Sequence, residues 1–389
     1  MSKKVITSEF VSWGHPDKIA DQISDAILEE LLYEDSKTRA GIEVLVKDNI
    51  VVLGGEINSK GKVDYDIVVR SVFEKLPFPE NHNLQPENIK IINLIGKQSF
   101  EIHQGVDKSN DIIGAGDQGF MVGFASDETE EYLPLGVYLA KHICQYISKQ
   151  THLGFGPDTK TQVIVDYFNN EMLLFNDIRP HIIVESILVS TMQQGDLTYD
   201  RELIKNIILN NDMKIDSEIY KKYIKNNETL VITVNPCGEW RIGGPISDCG
   251  VTGRKIVVDQ FGGYSNVGGG GLSGKDLSKV DRSAAYMARY LAKNIVASGI
   301  ANTCKVELSY MIGIPNPSSI NIELNKNQHL VPEIKAFIEE NVNLTPKAII
   351  DKFSDCFEPY RMAVEGHYGN MMDCWEEIDF AKDLKEYLY

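Results

Sequence analysis

The chain has 389 residues, with 39 Lys and Arg against 56 Asp and Glu and a formal net charge of −17; this opposes non-specific attraction to nucleic acid or anionic membranes, so its cations are expected to act locally on a small anion. Hydrophobic residues make up 43% and charged residues 24%, an ordinary globular composition long enough for two or three domain-sized units. MSKKVITSEF at the start lacks a signal-peptide core and no run reaches the roughly 18 apolar residues of a membrane span, so a cytoplasmic protein is expected.

In chain order, the turn composition GHPDK (14–18) precedes Ile19, Ile23, Ala26, Ile27 and Leu31 at helical spacing. This predicts a helix packed by one face over 19–32. IEVLV (42–46) and IVVLGGEI (50–57) flank Lys47, Asp48 and Asn49 and predict a β-hairpin. A second helix is predicted over 65–76. GAGDQG (114–119) has G-x-G-x-x-G spacing, but polar VDKSNDII precedes it and strand-like FMVGFAS follows it. A dinucleotide fingerprint needs a strand before and a helix after. QVIVDYF (162–168) and EMLLFN (171–176) predict a hairpin about Asn169 and Asn170, and IIVESILVS (182–190) a further strand. A long helix is predicted over 280–298, followed by strands in CKVELSYMIG and SSINIEL. Antiparallel strands and helices in separate blocks favour an α+β fold over a parallel doubly wound sheet. The six cysteines (Cys144, Cys237, Cys249, Cys304, Cys356, Cys374) contain no C-x-x-C pair and are expected to be reduced, without a zinc site or disulfide framework.

The stretch GGGGLSGKDLSKVDR (268–282) reads as a polyphosphate cradle. Glycines let consecutive backbone N–H groups converge on an anion. Lys275 and Lys279 add charge, and a helix starting near Ser273 would put both on one face close to its positive end. Asp276 and Asp281 suit the divalent ion that neutralises such an anion. Gly269, Gly274 and Lys275 match P-loop spacing, but Asp276 stands where a P-loop has the Ser or Thr that holds magnesium. A P-loop NTPase is therefore the weaker alternative. In GHPDK, Asp17 can hold a cation, Lys18 can reach phosphate and His15 can donate to a phosphate oxygen or a leaving group; helix capping by Asp17 beside an exposed His15 is the competing reading. Arg254 and Lys255 close the Gly-rich turn SDCGVTGRK and suit a polyphosphate. Taken singly, Glu43 and Glu56 read as solvated strand charges.

Together GHPDK (14–18), GGEI (54–57), IGKQS (95–99), GAGDQG (114–119), GGP with DCGVTGRK (243–255) and SGKDxSKVDRSAAY (273–286) resemble the S-adenosylmethionine synthetase family, in family order and across nearly the whole chain. The resemblance implies three similar α/β subdomains with mixed or antiparallel sheets, built from non-consecutive segments. Their approximate extents are 1–125, 126–240 and 241–389. It implies ATP and L-methionine as substrates, two Mg2+ and K+ as cofactors, and a homodimer or homotetramer whose active sites lie between subunits. No nucleic acid or membrane partner is expected. Residue by residue, it makes His15, Lys275 and Arg254 catalytic and assigns ATP to His15, Lys18, Asp158, Lys160, Trp240, Asp248, Arg254, Lys255, Gly271 and Lys275. It assigns methionine to Glu56, Gln98, Asp248 and Lys279, magnesium to Asp17 and Asp281, and potassium to Glu43. Residues 97–110 resemble the family's gate.

Some positions depart from the family pattern. Trp13 replaces the usual Glu, Gly271 and Leu272 replace Ala and Phe, Val267 stands where many members have His, Arg241 follows Trp240 in place of an aliphatic residue, and Trp240 replaces a Phe that stacks on adenine. The loss of Phe at 272 raises the expectation that Trp13 or Trp240 fills the room. The alternative to an active enzyme is a noncatalytic or altered-specificity paralogue of the same fold.

Overall fold

The structure, a computed structural model, describes residues 2–97, 107–109, 112–169 and 181–389. Its first part contains β1 (Ser2–Val11), α1 (Pro16–Glu34), β2 (Arg39–Lys47), β3 (Ile50–Asn58), α2 (Tyr65–Lys75), β4 (Lys90–Asn93) and β5 (Gly96–Lys97). β2 and β3 are the predicted hairpin, with Asp48 at φ 53° in its turn. α1 starts before the apolar pattern because Pro16 occupies its first position and His15 caps it. Its Ile19, Ile23, Ile27 and Leu31 share a core with Ala40, Ile42, Val44 and Val46, the alternately buried residues of β2. The 3.6-residue period of the helix and the two-residue period of the strand thus meet face to face.

The middle of the chain adds β6 (Asp107–Ser109), β7 (Ile112–Ile113), β8 (Gly119–Ser126), α3 (Leu135–Ser148), β9 (Phe155–Asn169), β10 (His181–Gln193), α4 (Leu197–Asn210) and β11 (Val231–Val234). EMLLFN lies outside the described residues; among the described ones, β9 pairs antiparallel with β1 and β10. With β11 parallel to β10, the sheet order is β1-β9-β10-β11.

The last part adds β12 (Gly250–Val251), α5 (Val280–Ala297), β13 (Thr303–Tyr310), β14 (Ser319–Leu324), α6 (Val331–Asn341), α7 (Pro346–Phe353), α8 (Pro359–Glu365) and α9 (Ala381–Leu388). β8 joins β13 in the sheet β14-β13-β8, and β12 extends the first hairpin to β12-β2-β3-β4, with β5 also on β3. Each larger sheet therefore draws strands from distant parts of the chain, and the fold is α+β with antiparallel and mixed sheets. α5 lies across β8 and β13. It buries Arg289 and Lys293 on Glu376, each at 2.8 Å, and the Trp375 ring stacks on Tyr286 with centroids 3.9 Å apart.

The cysteine expectation needs correcting. Cys356 and Cys374 are joined by a disulfide. They are 18 residues apart, with no local spacing motif, and the chain between α7 and Trp375 folds back to bring them together. Cys144 and Cys304 are buried free thiols, as expected. Among the described residues no helix is long and apolar enough to cross a membrane.

Candidate active site

α1 carries Asp17, Asp21 and Asp25 at four-residue intervals, which places them along one face. All three are buried. Each accepts one backbone N–H from a glycine-rich loop: Val251 to Asp17 at 3.0 Å, Gly253 to Asp21 at 2.9 Å and Gly274 to Asp25 at 2.8 Å. The same two loops line the edge of β2. Thr252 donates to the Val44 carbonyl at 3.0 Å, and Ile42 donates to the Gly274 carbonyl at 2.9 Å. One helix face and one strand edge thus hold two loops side by side, so close that a Cβ on Gly271 would lie 2.7 Å from Gly253 Cα. Gly274 is required twice over. Its φ is +81°, and a Cβ there would sit 2.0 Å from the Ile42 carbonyl oxygen.

Each aspartate also meets a cation. Asp25 forms a two-pronged pair with fully buried Arg282, at 2.7 and 3.1 Å. Asp21 meets Lys18 at 3.0 Å, and Lys18 meets Asp259 at 2.8 Å. Lys18 is 3% exposed. Although burial opposes its charge, the two carboxylates hold its pKa above the ordinary value. The sequence reading of Lys18 as a phosphate ligand is therefore corrected. Its charge is spent tying α1 to Asp259, a partner 241 positions away that no local motif announces.

Asp17, at the open end, accepts from Lys255 Nζ on Oδ2 and lies 3.6 Å from Arg254 Nε on Oδ1. Burial opposes its ionisation, but Lys255 and the Val251 N–H outweigh it and hold the carboxyl below its ordinary value. His15 accepts the Asp17 N–H on Nδ1 at 3.2 Å. Burial, then the Lys255 charge, push its pKa down to about 4 against the pull of Asp17. At neutral pH His15 is therefore an uncharged imidazole whose Nδ1 is an acceptor, which leaves the proton on Nε2 as a donor. The capping reading of GHPDK needs correcting, since His15 rather than Asp17 caps α1 and the His15 side chain is only 15% exposed.

The His15 turn docks on the start of β9. Ser12 Oγ accepts the Thr159 N–H at 2.8 Å, and Gly14 is packed so tightly that a Cβ would lie 2.4 Å from the Pro157 carbonyl carbon. This brings in Asp158 and Lys160. Asp158 is buried; its Oδ2 accepts the Gly244 N–H at 2.7 Å, while Oδ1 has no hydrogen-bond partner among the described residues. Burial, with Asp248 adding to it, raises its pKa to about 7. Lys160 pairs with Glu9 at 2.7 Å. Asp248 is exposed, and half-buried Trp240 donates from Nε1 to the Ile242 carbonyl at 2.7 Å.

In the second loop, Lys275 Nζ contacts Asp281 Oδ2 at 2.6 Å, and Gly270 N–H donates to Asp281 Oδ1 at 3.0 Å. The expectation of a helix from Ser273 fails, because α5 begins only at Val280. Lys279 precedes it and turns to Asp276, so the two lysines serve different carboxylates. Asp276 is a scaffold residue, not a metal ligand: it is 1% exposed and accepts the Ala40 and Ser278 N–H groups, each at 2.8 Å.

Glu43 and Glu56 are exposed on the same face of the β2–β3 hairpin, and Glu43 stands between the two loop-bearing stretches of β2. Gln98 and most of 97–110 lie outside the described residues. Among the described residues no group of three or more His, Cys, Asp or Glu is placed to hold a metal. A cavity of about 990 Å³ lined by Lys4, Phe124, Glu128, Tyr167, Tyr223 and Tyr264 includes none of the predicted site residues.

Among the departures, Gly271 is explained by its contact with Gly253. Leu272 is fully buried in the larger core, whereas Trp13 packs on the α1 core, so Trp13 does not fill room near Leu272. Arg241 pairs with Glu239 at 2.9 Å and donates to the Gln194 carbonyl at 2.8 Å. Nothing in the structure explains Val267. The sequence reading missed Asp21 and Asp25, although their spacing from Asp17 was a visible signal.

Known proteins resemble the chain along its whole length. The family models for the N-terminal, central and C-terminal domains of S-adenosylmethionine synthetase match residues 3–100, 112–240 and 242–377. The S-adenosylmethionine synthases of Mycoplasma capricolum subsp. capricolum and Mycoplasma mycoides subsp. mycoides SC are each 40% identical, covering 100% of this chain and 98% of theirs. A solved structure described as an unusual S-adenosylmethionine synthetase from Campylobacter jejuni is 35% identical, with a TM-score of 0.85 over 99% of this chain and 100% of its own. With all three domain models matched in order and relatives similar along the whole length, the chain belongs to the S-adenosylmethionine synthetase family.

Proposed function

We infer that the chain is a methionine adenosyltransferase, joining ATP and L-methionine into S-adenosylmethionine. The observation that carries this reading is the convergence of an uncharged His15 donor with Arg254, Lys255 and Lys275 on two touching glycine loops. The methionine sulfur attacks C5′ of the ribose in line, the new S–C5′ bond forms as C5′–O5′ breaks, and tripolyphosphate leaves. It is then hydrolysed to pyrophosphate and phosphate. No protein nucleophile is needed. His15 Nε2–H donates toward the departing oxygen, and Arg254, Lys255 and Lys275 stabilise the charge that grows on the triphosphate.

Asp17 and Asp281 each offer one carboxylate, a donor set that suits Mg2+ held jointly with phosphate oxygens and water. Bound there, Mg2+ supplies further charge neutralisation at the leaving group. We assign K+ to Glu43. The free Oδ1 of Asp158 supports a hydrogen bond from the nucleotide, Lys160 and Gly271 flank it, and the Trp240 face takes the adenine. Glu56, Gln98, Asp248 and Lys279 hold the methionine amino acid group. Glu43 and Glu56 are exposed on a sheet face that none of the described residues buries at these positions, which supports completion of the site by a second copy of the chain, as dimer or tetramer. A cytoplasmic location is part of this reading.

Mass-spectrometric product analysis with ATP, methionine, Mg2+ and K+, and with methionine omitted, tests the reading. S-adenosylmethionine with pyrophosphate and phosphate is the expected result. ADP formed without methionine would replace the reading with an NTPase, and nucleotide binding without turnover would replace it with a noncatalytic paralogue.

A further inference from the structure

The carboxylates assigned to magnesium share one pattern. Asp17 gives Oδ1 to the Val251 N–H, with Arg254 Nε 3.6 Å away, and Oδ2 to the Lys255 ammonium. Asp281 gives Oδ1 to the Gly270 N–H and Oδ2 to the Lys275 ammonium. In each case a loop N–H fixes one oxygen, and a lysine from the same loop region covers the other. A divalent cation at that oxygen would lie within a few ångströms of the ammonium, and the repulsion between the two weakens metal binding for as long as the ammonium stays. Both lysines have somewhere else to go. Their side chains are 17% and 25% exposed, and they sit on flexible stems beside the glycine loops.

We propose that Lys255 and Lys275 are placeholder cations, covering the metal-binding oxygens of Asp17 and Asp281 until a polyphosphate draws the two ammoniums onto its own oxygens. The proposal rests on the functional reading above and adds a coupling to it: metal and polyphosphate bind together because each frees the partner of the other. At no stage of the exchange is a carboxylate or an ammonium left unpaired. Carboxylate–ammonium pairs become carboxylate–metal and ammonium–phosphate pairs, which avoids the cost of a stranded, partly buried charge. Metal alone is correspondingly a weak ligand, consistent with the lack of any three-acid cluster among the described residues. Because coupling is reciprocal, a change that removes the ammonium must show up in metal affinity even without nucleotide.

The test uses Mn2+ alone as the probe, titrated against the full-length protein by electron paramagnetic resonance of the free ion. Lys275→Met should bind Mn2+ about tenfold more tightly than the wild type, equivalent to ~1.4 kcal/mol, and Lys255→Met should do the same at the other carboxylate. Lys275→Arg, which keeps the charge, should stay at the wild-type value. The gain in Lys275→Met should vanish on adding Asp281→Asn, which separates this site from other surface carboxylates. Circular dichroism identifies folded variants, and Lys275→Gln replaces Lys275→Met should that variant not fold. Gains below threefold in folded variants at both carboxylates overturn the proposal, and a gain at only one overturns it for the other. Since no turnover is measured, failure here is distinct from failure to make S-adenosylmethionine.

Discussion

Replacing Asp158 by Asn should stabilise the protein at pH 8 and change it little at pH 5. Asp158 is 2% exposed, and burial, reinforced by Asp248, raises its pKa to about 7 against the Gly244 N–H and Lys255. An unfolded Asp titrates near 3.9. Between these values the folded protein holds a proton that the unfolded chain has lost, so stability falls as pH rises from about 4 through 7. At ~1.36 kcal/mol per pKa unit, a shift of about three units is worth ~4 kcal/mol in full, of which roughly 2 to 3 kcal/mol is lost between pH 5 and pH 8. Asn carries no such penalty and keeps an acceptor for the Gly244 N–H. Urea unfolding of both proteins at the two pH values, compared at matched slope, should give a difference that shifts toward Asn by about 2 kcal/mol at the higher pH. A difference that does not change with pH would refute the reasoning, since Asp158 would then ionise as freely in the fold as outside it.

Arg282→Met strands the buried Asp25 carboxylate and should cost ~3–5 kcal/mol by urea unfolding, with part recovered in the double variant that adds Asp25→Asn; a single variant of wild-type stability would contradict the pairing. Gly274→Ala meets the Ile42 carbonyl oxygen at 2.0 Å and should weaken tripolyphosphate binding, measured by calorimetry, at least tenfold. Leu272→Phe, although it restores the family residue, enlarges a fully buried side chain and should destabilise by ~1–3 kcal/mol; an unchanged or raised melting temperature would show space that the core does not display. Lys275→Ala removes one charge-assisted contact of ~1.5–3 kcal/mol and should lower kcat by roughly 10- to 150-fold in a folded protein, whereas near-normal turnover would remove the loop from the chemistry.

Elements set by local pattern were legible. α1, α2, the β2–β3 hairpin and α5 follow from periodicity and turn composition that a dozen residues contain. What spans the chain was not. The partnership of β1 with β9, the entry of β8 into the sheet of β13, and the Cys356–Cys374 bridge depend on contacts that no window of sequence holds. The same limit explains the site. His15, Asp17, Arg254 and Lys255 were read as a group from motif resemblance, and they do converge. Lys18 carries the same charge and stands in the same motif, yet it points the other way because Asp21 and Asp259 claim it.

The three aspartates of α1 explain why one short motif could mislead at one residue and succeed at the next. A helix presents residues 17, 21 and 25 along a single line, and that line is buried beneath two loops whose Val251, Gly253 and Gly274 N–H groups point at it. Carboxylates are the side chains best suited to satisfy such donors while also anchoring a cation. The deeper two, Asp21 and Asp25, meet Lys18 and Arg282 at 4% and 0% side-chain exposure, and their charges are fully used within the fold. Only Asp17, at the helix start, meets cations that remain partly exposed, Arg254 at 52% and Lys255 at 17%. The same chemistry that stiffens the loops at one end of the line therefore leaves partly exposed cations at the other, as the exchange proposed for Lys255 requires.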